Sequence, residues 1–341
     1  MKIILDGMGG DNAPAAIVEG AVLASRMMEH EIIITGDEDA IRKELANHKF
    51  DAHKISIEHA PDVITNDDAP VKAVRNKKNS SMVVGMEMLK EESGDVFISA
   101  GNTGALMAGG LFILGRIRGV DRPAIASVYP ILNEDTVSLL VDAGANSECK
   151  PNNLLEFATM GSIYMEKVLG KENPRVGLVN IGAEETKGTT VVKATHEMLK
   201  RSHLNFVGNI EARDIPKGAS DVIVCDGFVG NVIIKLTEGL AWSIFKLVKS
   251  KFTSGITAKI GAALLSGKLK ELKKEFDYSE YGGAPILGIK KPVIKMHGSS
   301  NSNAVKNTIL KAIPFAEQDV VSTVENTLIE ISDIEEMLIS E

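Results

Sequence analysis

Cysteine is nearly absent from this chain. Cys149 and Cys225 are the only two among 341 residues. They follow no CxxC or zinc spacing and cannot make a disulfide framework, so reduced thiols in a cytoplasmic protein are expected. Aromatic residues are also few, with one Trp and four Tyr, which leaves little for stacking on nucleic-acid bases. A basic footprint is missing: the formal net charge of −8 argues against a general nucleic-acid binder. No uninterrupted apolar run approaches the ~20 residues that span a bilayer. Met1 leads directly into a strand, without the basic and apolar regions of a signal peptide.

What is abundant is glycine at the ends of strands. Six apolar runs end in glycine, asparagine or serine and pass straight into a helical pattern. They are Lys2–Leu5, Val96–Ser99, Val137–Val141, Arg175–Val179, Val222–Val224 and Val293–Lys295. Strands alternating with helices predict an α/β fold, a mostly parallel sheet covered on both faces. In a parallel sheet such turns share the carboxyl edge, where ligands of open α/β folds bind. Glycine admits a ligand close to the backbone, and the following helix offers unpaired N–H groups. A cradle for an anion or phosphate is the leading expectation. Ala124–Tyr129 and Thr136–Val141 read as an antiparallel element. The acidic segment from Val320 reads as a solvated helical cap.

Established loop chemistries fit poorly. Gly7-Met-Gly9-Gly-Asp-Asn12 puts Asn12 where a dinucleotide fingerprint needs its third glycine. Gly182-Ala-Glu-Glu-Thr-Lys187-Gly188 reverses the glycine–lysine order of a P-loop. Asp6, Asp142 and Asp226 each end a strand, and the simplest reading is that each accepts loop N–H groups and fixes its turn. Ser299 and Ser300 lack a base ordered as in hydrolases. Cys225, between Val224 and Phe228, reads as a buried thiol rather than a nucleophile.

Taken together, ILDGMGGDNAP, VKAVRNKKNSSM, SAGNTGA, VDAGAN, NIGAEETKG, VCDGFVGN and HGSSN resemble the phosphate acyltransferases of bacterial phospholipid synthesis. The resemblance runs from Ile3 to about Asn307. It implies transfer of a fatty acyl group from acyl carrier protein to inorganic phosphate, without a metal or nucleotide cofactor. It also implies a three-layer α/β/α sandwich akin to phosphotransacetylases and isocitrate or isopropylmalate dehydrogenases, usually dimeric. The whole of 1–341 then forms one catalytic unit, possibly bilobal.

For that chemistry the expected phosphate cradle is Gly101, Asn102, Thr103 and Gly104 together with Asn180, Gly182 and Gly188. Lys187 is the charged partner, and Lys72 or Arg75 is a further contributor. His297, with Ser299 beside it, is the candidate acid, base or oxyanion donor. Asn231 orients substrate or caps a helix. Residues 246–276 carry eight lysines against two glutamates around an apolar tip, and read as a projecting helical hairpin. There Ile256, Lys259, Ile260, Leu264, Leu265 and Lys268 are placed against acidic carrier protein or anionic lipid, or in a dimer interface. The expected location is the cytoplasm, peripherally on the inner face of the membrane. The competing functions are a phosphotransacetylase using coenzyme A thioesters, a decarboxylating dehydrogenase of related fold, and a non-catalytic phosphate-binding protein.

Overall fold

A computed structural model describes residues 1–131, 136–255, 261, 264–268 and 282–340, with side chains described to residue 330. Short continuous apolar runs such as Ile3-Ile4-Leu5 form strands buried on both faces, as parallel strands between helices must be. The first half comprises β1 (Lys2–Asp6), β2 (Glu31–Gly36), β3 (Ile55–His59) and β4 (Val96–Ser99). Between them lie α1 (Ala15–Ser25), α2 (Glu38–Leu45), α3 (Pro70–Asn76) and α4 (Ser81–Lys90). After β4 comes α5 (Thr103–Gly109), which continues as a π-helical turn over Gly110–Leu114.

β5 (Ala124–Pro130) and β6 (Val137–Val141) pair antiparallel, as expected. Then follow α6 (Pro151–Lys167), β7 (Val176–Asn180), α7 (Thr190–Arg201), β8 (Phe206–Glu211) and β9 (Val222–Val224). The long α8 (Gly227–Phe252) precedes β10 (Ala284–Leu287), β11 (Val293–Lys295), α9 (Ser302–Glu317) and α10 (Val320–Ser340). α10 is more than a solvated cap, because Val320, Val324 and Leu328 are buried.

Among the described residues, eleven strands make one sheet in the order β3-β2-β1-β4-β11-β10-β5-β6-β9-β7-β8. Seven of its ten pairings are parallel, so the sheet is mixed but mostly parallel. The three antiparallel pairings fall together at β11/β10, β10/β5 and β5/β6. They reverse the strand direction between the two halves. The glycine turns therefore do not share one carboxyl edge: those after β1, β4 and β11 point one way, those after β6, β7 and β9 the other.

Side chains alternate along the strands between the two faces, and both faces are buried. Ile3 and Leu5, with Ile17 of α1, Val305 of α9, Leu139 and Val141 of β6 and Phe157 of α6, belong to one apolar layer that crosses the whole sheet. On the opposite face the core is divided. Ile4 packs with Met82 and Met86 of α4, whereas Leu140 packs with Ile223 and Tyr129 in a separate cluster. Between these two clusters the central strands are left open.

α8 enters this gap at close quarters. A side chain on Gly230 would collide with the carbonyl oxygen of Asp142, while one on Gly239 would meet nothing within 4 Å. Gly230→Ala is therefore expected to cost on the order of 3 kcal/mol, read as a lowered urea midpoint. Gly239→Ala is expected to be neutral or to stabilise by up to ~1 kcal/mol through helix propensity.

Candidate functional site

The gap holds a cavity of about 570 Å³. Its floor is Ile125 and Ser127 of β5 with Ala284 of β10, and register places Ala284, Lys295 and Ser127 at one level across the sheet. Turns from both halves rim it, because the opposed groups overlap there. Asp142 pairs back at the level of Ile125, so the β6 turn arrives beside the floor instead of at the far end.

Three turns on the first rim are clasped together. The Asp6 carboxylate accepts Ser99 Oγ at 2.6 Å, and Ser99 Oγ accepts the Gly101 N–H at 3.0 Å. The Asp11 N–H reaches Gly298 O at 2.8 Å, and Asn12 Nδ2 donates to the carbonyls of Ser299 and Ser300. Gly10 sits at φ +99°, and a side chain there would strike Gly298 O. On the opposite rim, Asp142 accepts N–H groups from Ile125, Gly144, Ala145 and Asn146 and the Asn146 side chain. Asp226 caps α8 through the Val229 N–H at 2.8 Å. Asp6, Asp142 and Asp226 thus brace turns, and five donors on Asp142 explain how its carboxylate tolerates burial.

Lys295, Lys235 and His297 bring positive charge and donors to the cavity. Burial pushes the Lys295 ammonium down to about 8, against the opposing pull of Asp6 and Asp11. Its Nζ donates to Met296 O. Lys235 pairs with Glu238 at 2.8 Å, so its charge is partly neutralised. His297 is held below its ordinary value of 6.5, first by burial and then by the Lys235 ammonium. The Ser299 N–H points at His297 Nδ1 (3.2 Å) and Ser299 Oγ lies 2.8 Å from it. Nδ1 therefore accepts, and the neutral ring carries its proton on Nε2 as a donor.

Of the residues expected from sequence, Gly101, Thr103, Asn231 and His297 line this cavity. Ser299 acts on it through the imidazole. Gly101 and Asn102 hold a different role from the one expected. The Gly101 N–H is taken by Ser99. Asn102 caps α5 through Ala105 N and ties its amide to the carbonyls of Thr65, Asn66 and Asp68. Gly104 lets α3 approach, since a side chain there would meet Pro70 at 2.7 Å.

Asn180, Gly182, Lys187 and Gly188 lie on the β7–α7 turn and line no part of the cavity. Asn180 braces its own turn, accepting Ile181 N and donating to Lys187 O. Six strand spacings separate β7 from β4, roughly 29 Å. The Gly101 and Gly182 turns therefore cannot grip one phosphate jointly within a chain. Lys72 and Arg75 are exposed on α3, Arg75 lying 5.4 Å over the Phe112 ring. Neither lines the cavity.

Ile256, Lys259 and Ile260 lie outside the described residues. Leu264 and Leu265 are exposed, as is Lys268. α8, where the lysine-rich stretch begins, is long and apolar enough by composition to cross a membrane. Its first turns, however, line the cavity through Asn231 and Lys235. Cys225 is buried, its thiol pushed up by burial and the neighbouring Asp142 and Asp226 carboxylates.

Sequence reasoning missed Lys295, Lys235 and Ser127. Lys295 carried a usable signal: it ends a buried strand two residues before His297, and residues i and i+2 share a face.

The fold is that of the phosphotransacetylases. A phosphotransacetylase from Streptococcus pyogenes superposes with a TM-score of 0.63 at 17% identity, covering 93% of this chain and 94% of that one. A branched-chain phosphotransacylase from Enterococcus faecalis superposes at 0.58 and 14% identity, covering 93% and 100%. These likenesses establish the fold. The family follows from sequence, because the model for the fatty acid synthesis protein family matches residues 1–323. A phosphate acyltransferase of Alkaliphilus oremlandii is 54% identical over 335 residues, 98% of this chain and 99% of the relative. One from Clostridioides difficile is 51% identical over 324 residues, 95% of each. The chain belongs to this family, among the phosphate acyltransferases.

The cation set has a pH signature. Lys295 is charged below about pH 8 and loses its proton above. Inorganic phosphate measured by calorimetry should therefore bind progressively more weakly as pH rises through 8. Lys295→Ala should weaken binding about tenfold or more at pH 7, the loss of one charge-assisted hydrogen bond, and should remove that alkaline decline.

Proposed function

We propose that this chain transfers a fatty acyl group from the thioester of acyl carrier protein to inorganic phosphate, releasing acyl phosphate for phospholipid synthesis. The observation that carries the reading is its relationship, over nearly the whole chain, to proteins named phosphate acyltransferase. The cavity supports it by supplying what the reaction requires.

In that reaction a phosphate oxygen attacks the thioester carbonyl carbon. A C–O bond forms, the carbonyl oxygen takes negative charge, and the C–S bond then breaks. Lys295, assisted by Lys235, holds the phosphate and offsets its charge. The Nε2–H of His297 donates to the phosphate or to the developing oxyanion. A neutral histidine suits this role, since it donates without binding the ground-state anion as strongly as an imidazolium would. Asn231, from the opposite rim, orients the donor carbonyl. The departing thiolate takes a proton from the attacking phosphate or from water, and needs little acid help because a free thiol has a pKa of about 8.5. Alignment and electrostatics then carry most of the rate, with no acyl-enzyme required.

Lys187, on the turn one strand beyond β9, stands as a candidate contact for the donor rather than as part of the Gly101 cradle. Lys246, Lys249 and Lys251 at the end of α8 suit an acidic carrier protein or anionic lipid. The exposed Phe228, Val232, Leu236 and Leu240 favour a homodimer. These features support a cytoplasmic enzyme working at the inner membrane surface.

A second reading, transfer from coenzyme A thioesters, is favoured by the phosphotransacetylase likeness. Donor preference separates the two. With palmitoyl thioesters and phosphate, kcat/KM should be at least about tenfold higher for carrier protein than for coenzyme A, a difference of ~1.4 kcal/mol. Equal values, or a preference for coenzyme A, would support the second reading. Lys187→Ala should lower kcat/KM for the carrier-protein donor while raising the phosphate KM less than Lys295→Ala does.

A further inference from the structure

A second cavity of about 520 Å³ opens from the first. The two share Ser127, Val128, Ile234, Lys235, Glu238 and His297, so they are one continuous space with a charged end and an apolar end. The apolar end lies between β5 and α8, walled by Tyr129, Pro130, Ala241, Trp242 and Phe245. Tyr129 Oη and Thr237 Oγ1 lie 3.1 Å apart and share one hydrogen bond, so these two hydroxyls are directed largely at each other.

We propose that this groove holds the acyl chain of the substrate. The inference rests on the acyl-transfer reading and extends it to where the chain lies and which residues measure its length. Continuity points to the occupant: a thioester carbonyl placed beside Lys295 and His297 must send its alkyl tail somewhere, and an apolar space continuous with that cavity begins there. Size agrees, since the volume falls within the roughly 300–1,000 Å³ of small-molecule sites. From Lys235 to Phe245 the helix rises about 15 Å, far longer than an acetyl group needs.

The outer surface of α8 does not compete for this space. At 3.6 residues per turn, Ile234, Glu238, Ala241 and Phe245 share one face. Phe228, Val232, Leu236 and Leu240 fall on the opposite side and are exposed. A partner seated on that outer stripe leaves the groove open.

Trp242 is the only tryptophan in the chain, so it reports on the groove directly. Dodecyl phosphate, below its micelle-forming concentration, should shift Trp242 emission to the blue and bind more tightly than butyl phosphate. Each methylene added should tighten binding about fourfold until the groove is full. Ala241→Leu narrows the groove without a helix penalty of consequence. It should weaken dodecyl phosphate at least tenfold and leave butyl phosphate within twofold, which also shows that the variant is folded. Equal affinity for the two alkyl phosphates would overturn the proposal, as would an unchanged dodecyl affinity in Ala241→Leu. So would a blue shift produced by protein concentration alone without dependence on alkyl length, which would mean that a second copy fills the groove. Because the readout needs no turnover, length-dependent binding in a chain that forms no acyl phosphate would sink the transfer reading and leave the groove standing.

Discussion

Three antiparallel pairings at the middle of the sheet decide where this protein can do chemistry. A sheet parallel throughout would send every glycine turn to one edge and leave its central strands covered by helices. Reversal at β10, β5 and β6 turns the carboxyl ends of the two halves toward one another in staggered register. The helical layer on one face is unbroken, while on the other it parts over the central strands. The cavity is that parting, and the residues lining it arrive from both halves of the chain.

The polar interactions of the site mostly hold backbone rather than ligand. Asp6, Ser99 and Asn12 bind the first rim into a single unit, and Asp142 gathers the second. Each carboxylate is satisfied by N–H or O–H donors, so neither presents bare negative charge to an incoming anion. Against that fixed frame the charges and protons of the cavity belong to few groups: Lys295, Lys235 with its Glu238 partner, the Asp11 carboxylate, and His297 with its tautomer set by Ser299. Preorganisation of this kind is what an acyl transfer without a covalent intermediate requires.

Much of the fold was legible because burial on both faces writes itself as apolar runs. Ile3-Ile4-Leu5, Ile32-Ile33-Ile34 and Val137–Val141 are strands for that reason. Strand direction was legible at the β5–β6 pair but not elsewhere, since a period of two is the same read either way. The assumption of one shared edge failed at that point, and with it the joint cradle of Gly101 and Gly182. Asn102 and Asn180 have the chemistry of ligand donors, but caps and turns use the same amide groups, and sequence alone cannot separate the roles. His297 and Thr103, which follow strand ends, and Asn231, at the turn into a helix, were singled out from sequence and line the cavity. Lys295 was passed over because a lysine ending a strand usually faces solvent; here β10 and the β1 turn enclose it.

The proposed acyl transfer puts phosphate in the cavity beside Lys295 and His297. The most direct measurement is a crystal soaked in tungstate, a tetrahedral anion whose anomalous signal marks its position. A peak is expected within hydrogen-bonding distance of Lys295 Nζ and His297 Nε2. A peak confined to the Asn180–Gly188 turn, with the cavity empty, would contradict it.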